Sequence, residues 1–294
     1  MNWCKGLKAR VLLNEPLSKH TSLRIGPEAA LWVEPYDREA LKSLIKKARA
    51  MRQDYLIIGF GSKLLINKKR IPLAIHLGSA DFKKCIVEGN EIIAGAGVAS
   101  GSLLKAAYEN GLGGLEFLNG IPASVAGMIS LNAGVGWPKR IEIGPFVEQV
   151  EVMDTLGRIK ILDNKILKFG YRYSNLRPYI ILSARFRLFK KRKKNIKIKM
   201  QRFLDYRKRS QDLGYPSAGC IFKNCNGLGS GRLIDLCGLK GKRVGGACIS
   251  PRHANFIVNT GGATARDILT LMKMAQREVK KKFALDLEPE IEVI

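Results

Sequence analysis

The chain has 294 residues, enough for about two domains, and 46% of them are hydrophobic, enough for a sizeable core. Charged residues make up 26%, near the globular average of about 25%, which excludes a chain dominated by disorder or embedded in a membrane. Against 25 acidic residues stand 51 basic ones, a net charge of +26. Such a balance favours anionic partners: nucleic acid, anionic lipid or phosphorylated small molecules.

No stretch approaches the roughly 18 uninterrupted apolar residues of a membrane span. Residues 1–17 lack the apolar run and small-residue cleavage site of a signal peptide, so a cytoplasmic protein without membrane association is expected. The six cysteines, Cys4, Cys85, Cys220, Cys225, Cys237 and Cys248, form no Cys-x-x-Cys pair. No metal site is expected, and most of them read as reduced, buried apolar residues.

Asp37 is a candidate N-cap, and Leu41, Leu44, Ile45, Ala48 and Met51 recur at helical spacing, predicting an amphipathic helix over 38–52. An apolar strand at 55–58 runs into Gly59-Phe60-Gly61-Ser62-Lys63-Leu64-Leu65. Helix, strand and glycine turn in this order imply an α/β unit. Short strands follow at 73–76, 84–87 and 91–94, then a helix over 100–110 that Gly111 ends. A glycine-rich stretch, 113–134, comes next, with Asn119, Ser124, Ser130 and Asn132 as its polar side chains. Strands are expected at 147–153 and 158–162, joined by a turn at 155–157, and at 180–188. The basic run KKRKKNIKIK at 190–199, with Arg202, Arg207, Lys208 and Arg209, reads as a solvated helix face and linker. Helical spacing covers 195–213. Helices at 230–237 and 264–283 and strands at 244–248, 255–258 and 290–294 complete the chain. The coarse division is 1–190 for cofactor binding and 191–294 for a smaller α+β domain.

In Gly59-x-Gly61-Ser62, successive backbone N–H groups point into one concavity suited to phosphate, and Ser62 adds a hydroxyl donor. Two glycines after a strand are equally an ordinary tight turn. The pattern is neither G-x-G-x-x-G nor a Walker loop. The 113–134 stretch suits a flat aromatic cofactor lying on backbone, and it equally suits close packing of small residues. The residues alone leave both readings open.

Gly120-Ile121-Pro122-Ala123-Ser124-Val125-Ala126-Gly127 with Asn132-Ala133-Gly134 resembles the flavin-binding signature of the UDP-N-acetylenolpyruvoylglucosamine reductase family. Further segments agree in order: Thr21-Ser22-Leu23-Arg24-Ile25-Gly26, Gly59 to Leu65, Tyr171-Arg172-Tyr173-Ser174, Pro216 to Asn224 with Gly238-Leu239-Lys240-Gly241, and Leu287-Glu288-Pro289-Glu290-Ile291. The resemblance covers nearly the whole chain. It implies a mixed α+β fold. An FAD-binding part of the PCMH/vanillyl-alcohol-oxidase type has two subdomains (1–72 and 73–190), and a smaller α+β substrate domain follows (191–294). The stretch between Ser174 and Arg185 is too short for the extra tyrosine loop of the longer subclass. FAD is the implied cofactor, NADPH the reductant and a UDP-sugar the substrate, in peptidoglycan precursor synthesis. A monomer that does not bind nucleic acid is expected.

The implied reaction carries a hydride from NADPH through flavin N5 to the terminal carbon of an enolpyruvyl group. Charge developing on the adjacent carbon spreads into the substrate carboxylate, so the chemistry needs hydrogen-bonding or cationic groups there and an acid for the carbon. The resemblance implies Arg172 for the carboxylate, Glu290 for the enol form and Cys220 as proton donor, where most relatives carry serine. A thiol with an ordinary pKa of about 8.5 is mostly protonated at neutral pH and can donate. The FAD positions implied are Gly59, Gly61, Ser62, Lys63, Leu64, Gly120, Ile121, Pro122, Ser124, Gly127, Asn132 and Gly134. Lys223, Asn224 and Arg232 match substrate contacts. Lys63 stands where relatives often have asparagine, and Pro27 replaces a glycine; Ala123 and Ala126 also replace glycines, so a tighter or slightly shifted phosphate loop is expected. Another FAD-dependent oxidase or reductase of the same superfamily is one alternative. A basic nucleic-acid-binding protein is the other.

Overall fold

A computed structural model describes residues 6–225 and 227–294, so Cys4 lies outside the described residues. The chain divides into two compact units. The first takes the described residues up to Asn14, Ala30–Phe60 and Pro72–Asp205; the second takes Glu15–Ala29, Gly61–Ile71 and Tyr206–Ile294.

The expected division at 72 and 190 does not coincide with these units, for two physical reasons. Leu23, Ile25 and Leu65 belong to the same buried cluster as Ile221, Phe222 and Leu271, which joins 15–29 and 61–71 to the C-terminal third. Phe203 instead belongs to the cluster of Ile92, Val150 and Phe186. Most of the helix Lys193–Ser210 therefore stays with the first unit.

A four-stranded sheet runs in the order Ala9–Pro16, Glu28–Pro35, Arg70–His76, Leu56–Ile58. Leu56–Ile58 pairs parallel to Arg70–His76, as expected of an α/β unit whose strands need a crossover. The helix Arg38–Ala50 is capped by the Asp37 carboxylate, which accepts from the Ala40 N–H at 2.8 Å. Its Leu41, Leu44, Ile45 and Ala48 are buried in one cluster with Val33, Leu73 and Ile75. Each such large side chain contributes about 1.5–3 kcal/mol. The helix ends before the predicted Arg52, which adopts a left-handed φ of 49°.

A five-stranded antiparallel sheet has the order Ile159–Asp163, Val147–Met153, Ile180–Arg187, Glu91–Gly95, Cys85–Glu88. All five strands lie where they were predicted. The strands Ala9–Pro16 and Glu28–Pro35 were not predicted. The first shows no clean alternation, with Leu13 exposed and Asn14 at φ 50°. The second is a short apolar run without a readable period. The six-residue helix Val125–Ser130 is likewise too short to register as a period.

The second unit has an antiparallel sheet ordered Ser217–Cys220, Phe256–Asn259, Ala247–Ile249, Arg243–Val244. The strand predicted at 244–248 is in fact a hairpin. Gly245 has φ 51°, and a Cβ on Gly246 would meet the Gly261 carbonyl oxygen at 2.1 Å. The helix Ala265–Phe283 opens on a reciprocal capping box between Thr264 and Asp267 and buries Ile268, Leu271, Met272, Ala275 and Val279. The predicted strand at 290–294 shortens to Glu292–Val293, which pairs parallel to Leu64–Leu65.

The basic run is not wholly solvated. Lys191 lies 2.7 Å and Lys199 3.7 Å from the buried Glu116 carboxylate. Burial pushes that carboxyl up, but hydrogen bonds from Lys191, from its own backbone and from Gly114 outweigh it and hold it below the ordinary value. Of the described cysteines only Cys248 is buried; Cys85, Cys220, Cys225 and Cys237 are half-buried. Among the described residues no helix is long and apolar enough to cross a membrane, and no group of three or more His, Cys, Asp or Glu could hold a metal ion.

Candidate active site

In the first unit the glycine-rich stretch is held by its own polar groups. Gly59 lies against Ser124, where a Cβ would meet the hydroxyl oxygen at 2.7 Å. That hydroxyl accepts from the Gly127 N–H at 3.3 Å and caps Val125–Ser130. Gly120 needs its φ of 82°, a conformation costly to any other residue. Ile121 is half-buried, and its carbonyl accepts from Ser100 Oγ. Gly120, Pro122 and Gly127 are exposed. The Ala123 and Ala126 methyl groups, expected to tighten the loop, pack into apolar clusters.

Asn132 is buried with φ 44°. Its amide donates to Glu142 Oε2 at 3.1 Å and to the Gly170 carbonyl at 2.8 Å, and accepts from the Gly144 N–H at 2.9 Å. The side chain thus serves the protein, fixing the loop that carries Gly134. A Cβ on Gly134 would lie 2.2 Å from the Ile141 carbonyl oxygen.

Arg172 occupies the tip of the hairpin formed by Phe169–Gly170 and Tyr173–Ser174, with φ 55°. Its Nη2 donates to the Gly134 carbonyl at 3.0 Å. The Tyr171 ring lies near two guanidinium groups: Arg140 at 4.2 Å and Arg172 at 5.3 Å from its centroid. Ser174 Oγ anchors the hairpin by donating to the Ser130 carbonyl at 2.8 Å. The structure therefore brings the predicted arginine to the predicted glycine segment.

In the second unit the C-terminal tail is stitched between two segments. On one side the Glu290 N–H donates to the Ile221 carbonyl at 2.7 Å and the Lys223 N–H to the Glu288 carbonyl at 2.9 Å. On the other the Glu292 N–H donates to the Lys63 carbonyl at 2.8 Å and the Ile294 N–H to the Leu65 carbonyl at 3.0 Å. Glu290 is thereby brought beside the strand that ends at Cys220. Its side chain is 4% exposed and pairs with Lys63 Nζ at 2.7 Å. The same ammonium donates to the Cys220 carbonyl at 2.7 Å. Glu288 differs: it is largely exposed and pairs with Lys223. Burial thus separates two glutamates that sequence spacing could not. Asn224 Oδ1 accepts from the Ser230 N–H at 3.3 Å, and Arg232 lies exposed on the helix Ser230–Leu236. Leu64 is buried and Ser62 half-buried.

Two groups were missed by sequence reasoning. Arg207 Nε and Gln211 Oε1 are buried without a hydrogen-bond partner. Burial pushes the Arg207 guanidinium down from its ordinary value, and Cys220 pulls the other way. The signal was present, because Arg207 continues the Ile196, Met200, Phe203 stripe at helical spacing, yet it was hidden in a run of surface lysines. Ser22 Oγ is also buried without a partner, beside Gly61, whose carbonyl accepts from the Ser22 N–H at 3.2 Å. An orphaned hydroxyl at a glycine turn fits a phosphate-bearing ligand, because leaving it unmet costs about 1–3 kcal/mol. This observation fits the FAD diphosphate expected at that turn.

Comparisons with known proteins bear on the family and the fold. The family model described as UDP-N-acetylenolpyruvoylglucosamine reductase, C-terminal domain, matches residues 211–294, and an FAD binding domain model matches 29–163. The UDP-N-acetylenolpyruvoylglucosamine reductase of Caldanaerobacter subterraneus subsp. tengcongensis is 40% identical over 290 residues, 98% of this chain and 94% of the relative. That of Moorella thermoacetica is 40% identical over 289 residues, with the same shares covered. The crystal structure of UDP-N-acetylenolpyruvylglucosamine reductase from Thermus caldophilus superposes with a TM-score of 0.81 at 36% identity, covering 97% of this chain and 98% of that one.

Proposed function

The chain belongs to the UDP-N-acetylenolpyruvoylglucosamine reductase family, and on that footing we propose how its residues carry the reaction. It is an FAD-dependent oxidoreductase that reduces the enolpyruvyl group of a UDP-N-acetylglucosamine conjugate to the lactyl ether of UDP-N-acetylmuramate, with NADPH as reductant. FAD, when bound, supplies the hydride transfer between the two substrates. Backbone of Gly59, Gly61, Ser62, Lys63 and Leu64, with the Ser22 hydroxyl, would hold its diphosphate. Gly120, Ile121, Pro122, Ser124, Gly127, Asn132 and Gly134 would shape the surface against which it rests.

Arg172 receives the substrate carboxylate. Its guanidinium offers a planar fork for two carboxylate oxygens. Cys220 gives a proton to the carbon next to that carboxylate. Glu290 hydrogen-bonds the enol form and is held in place by its backbone bond to Ile221. Lys223, Asn224 and Arg232 take the UDP-sugar, with Arg207 and Gln211 as further polar contacts. The protein acts as a cytoplasmic monomer, and its positive surface gathers two polyanions, NADPH and the UDP-sugar.

The observation that carries this reading is the burial of Glu290 beside the Cys220 strand, an acid–donor pair drawn from two distant segments. The test is optical. Purified protein is expected to be yellow, to bleach with NADPH under anaerobic conditions and to recolour on adding the enolpyruvyl UDP-sugar. A colourless protein, or one that the UDP-sugar fails to recolour, overturns it.

A further inference from the structure

We propose that Lys63 is a positioning residue for the reaction, one that clamps the Glu290 carboxylate to the Cys220 strand. This rests on the roles given above to Glu290 and Cys220. Lys63 Nζ lies 2.7 Å from Glu290 Oε1 and 2.7 Å from the Cys220 carbonyl oxygen. Two of its three donors therefore converge on the proposed catalytic pair. The neighbouring lysine does not substitute for it, because Lys223 is paired with Glu288.

The backbone around Lys63 is built to hold this arrangement. Its carbonyl accepts from the Glu292 N–H, and Leu64–Leu65 continues in parallel register with Glu292–Val293. The residue before Cys220 is Gly219, at φ 68°, and a Cβ there would lie 3.5 Å from Lys63 Nζ. The ammonium thus ties the glycine turn to the tail and to the Cys220 strand.

Stripping the buried Glu290 carboxylate of the Lys63 cation is costly and draws the side chain toward water. That shift alters which hydrogen bond Glu290 offers the substrate. Removing the ammonium also takes one donor from the Cys220 carbonyl, which loosens the backbone that aims the thiol. Lys63 touches neither reacting carbon nor proton in this reading. It acts through Glu290 and Cys220.

The test separates the two half-reactions of the holoenzyme by stopped flow. Lys63→Met is expected to slow flavin reoxidation by the enolpyruvyl UDP-sugar roughly tenfold or more, while changing flavin reduction by NADPH less than about twofold. In a Glu290→Gln background the same substitution is expected to slow reoxidation several times less than in the unaltered protein, because coupled residues are non-additive and only the contact with the Cys220 carbonyl is then lost. Unchanged reoxidation, equal slowing in both backgrounds, or an effect confined to FAD retention overturns the clamp.

A second measurement needs no Lys63 variant. Reductive methylation mapped by mass spectrometry should label Lys63 several times faster in Glu290→Gln than in the unaltered protein, and equal labelling contradicts the pair. If Glu290→Gln itself reoxidises at the normal rate, the role of Glu290 fails, while the labelling still decides whether Lys63 holds it.

Discussion

The glycine-rich stretch 113–134 of the first unit and the Cys220–Glu290 cluster of the second treat their polar groups in opposite ways. Around Gly134 the polar side chains are satisfied by the protein: Asn132 makes three hydrogen bonds to its neighbours, and Ser124 caps its own helix. What this region can offer a cofactor is shape and backbone. Around Cys220 the chain buries charge, with Glu290 against Lys63 and with Arg207 and Gln211 left with unmet atoms. A cofactor that stays bound calls for a rigid surface, whereas a reaction that moves a proton and builds charge calls for groups of high local field.

Substitutions can break this contrast. Among the substitutions that test this contrast, the largest effect is expected at Arg172, the guanidinium proposed to receive the substrate carboxylate. Arg172→Ala should lower kcat/KM by about 10²–10³-fold, and Arg172→Lys should recover only part of that, since an ammonium lacks the planar fork. Steady-state kinetics with the UDP-sugar varied checks this. Asn132→Ala comes next and acts on stability. It strands the Gly144 N–H and the Gly170 carbonyl, at about 1–3 kcal/mol each, and should lower the urea midpoint and release flavin. An equal stability and a full flavin complement in Asn132→Ala would mean that the loop is not held as described.

Gly61→Ala should cost about 2 kcal/mol or more, since a left-handed residue costs roughly 1–2 kcal/mol before any clash. Its Cβ would meet the His20 carbonyl at 2.1 Å. Gly101 is the control: a Cβ there meets nothing within 4 Å, so Gly101→Ala should stabilise by about 0.4–1 kcal/mol.

The smallest effect is a pH dependence within the second unit. Burial, aided by Lys240, pushes the His253 imidazole below its ordinary value, although its own backbone pulls the other way. The unfolded chain therefore takes up a proton first as the pH falls below about 6.5, and stability should decline from there down to the folded-state value. In His253→Gln the urea midpoint should vary less between pH 7.5 and 5.5 than in the unaltered chain.

Much of the fold was readable from local pattern. The five strands of the antiparallel sheet announced themselves by short apolar runs, and helix 38–50 by its cap and its period. The strand Ala9–Pro16 was not legible because its register depends on partners rather than on alternation. The hairpin at Gly245 and Gly246 was read as one strand because nothing local reveals the approach of Gly261. Of the candidate residues, Arg172, Cys220 and Glu290 were named from their motifs, yet the Lys63–Glu290 pair was invisible. It joins residues at opposite ends of the chain, and only the tail's pairing with two segments brings them together. Arg207 was concealed differently, as one arginine among many basic residues whose neighbours mostly face water.

The most direct measurement of the central claim, that an FAD reductase draws its proton from Cys220, is a stopped-flow comparison of the unaltered holoenzyme with Cys220→Ala. Both proteins should bleach with NADPH at similar rates. On mixing with the enolpyruvyl UDP-sugar, the unaltered enzyme should regain its flavin absorbance, and Cys220→Ala should do so about 10²–10⁴ times more slowly, the usual effect of losing a general acid. Recolouring of Cys220→Ala at the unaltered rate would contradict the claim.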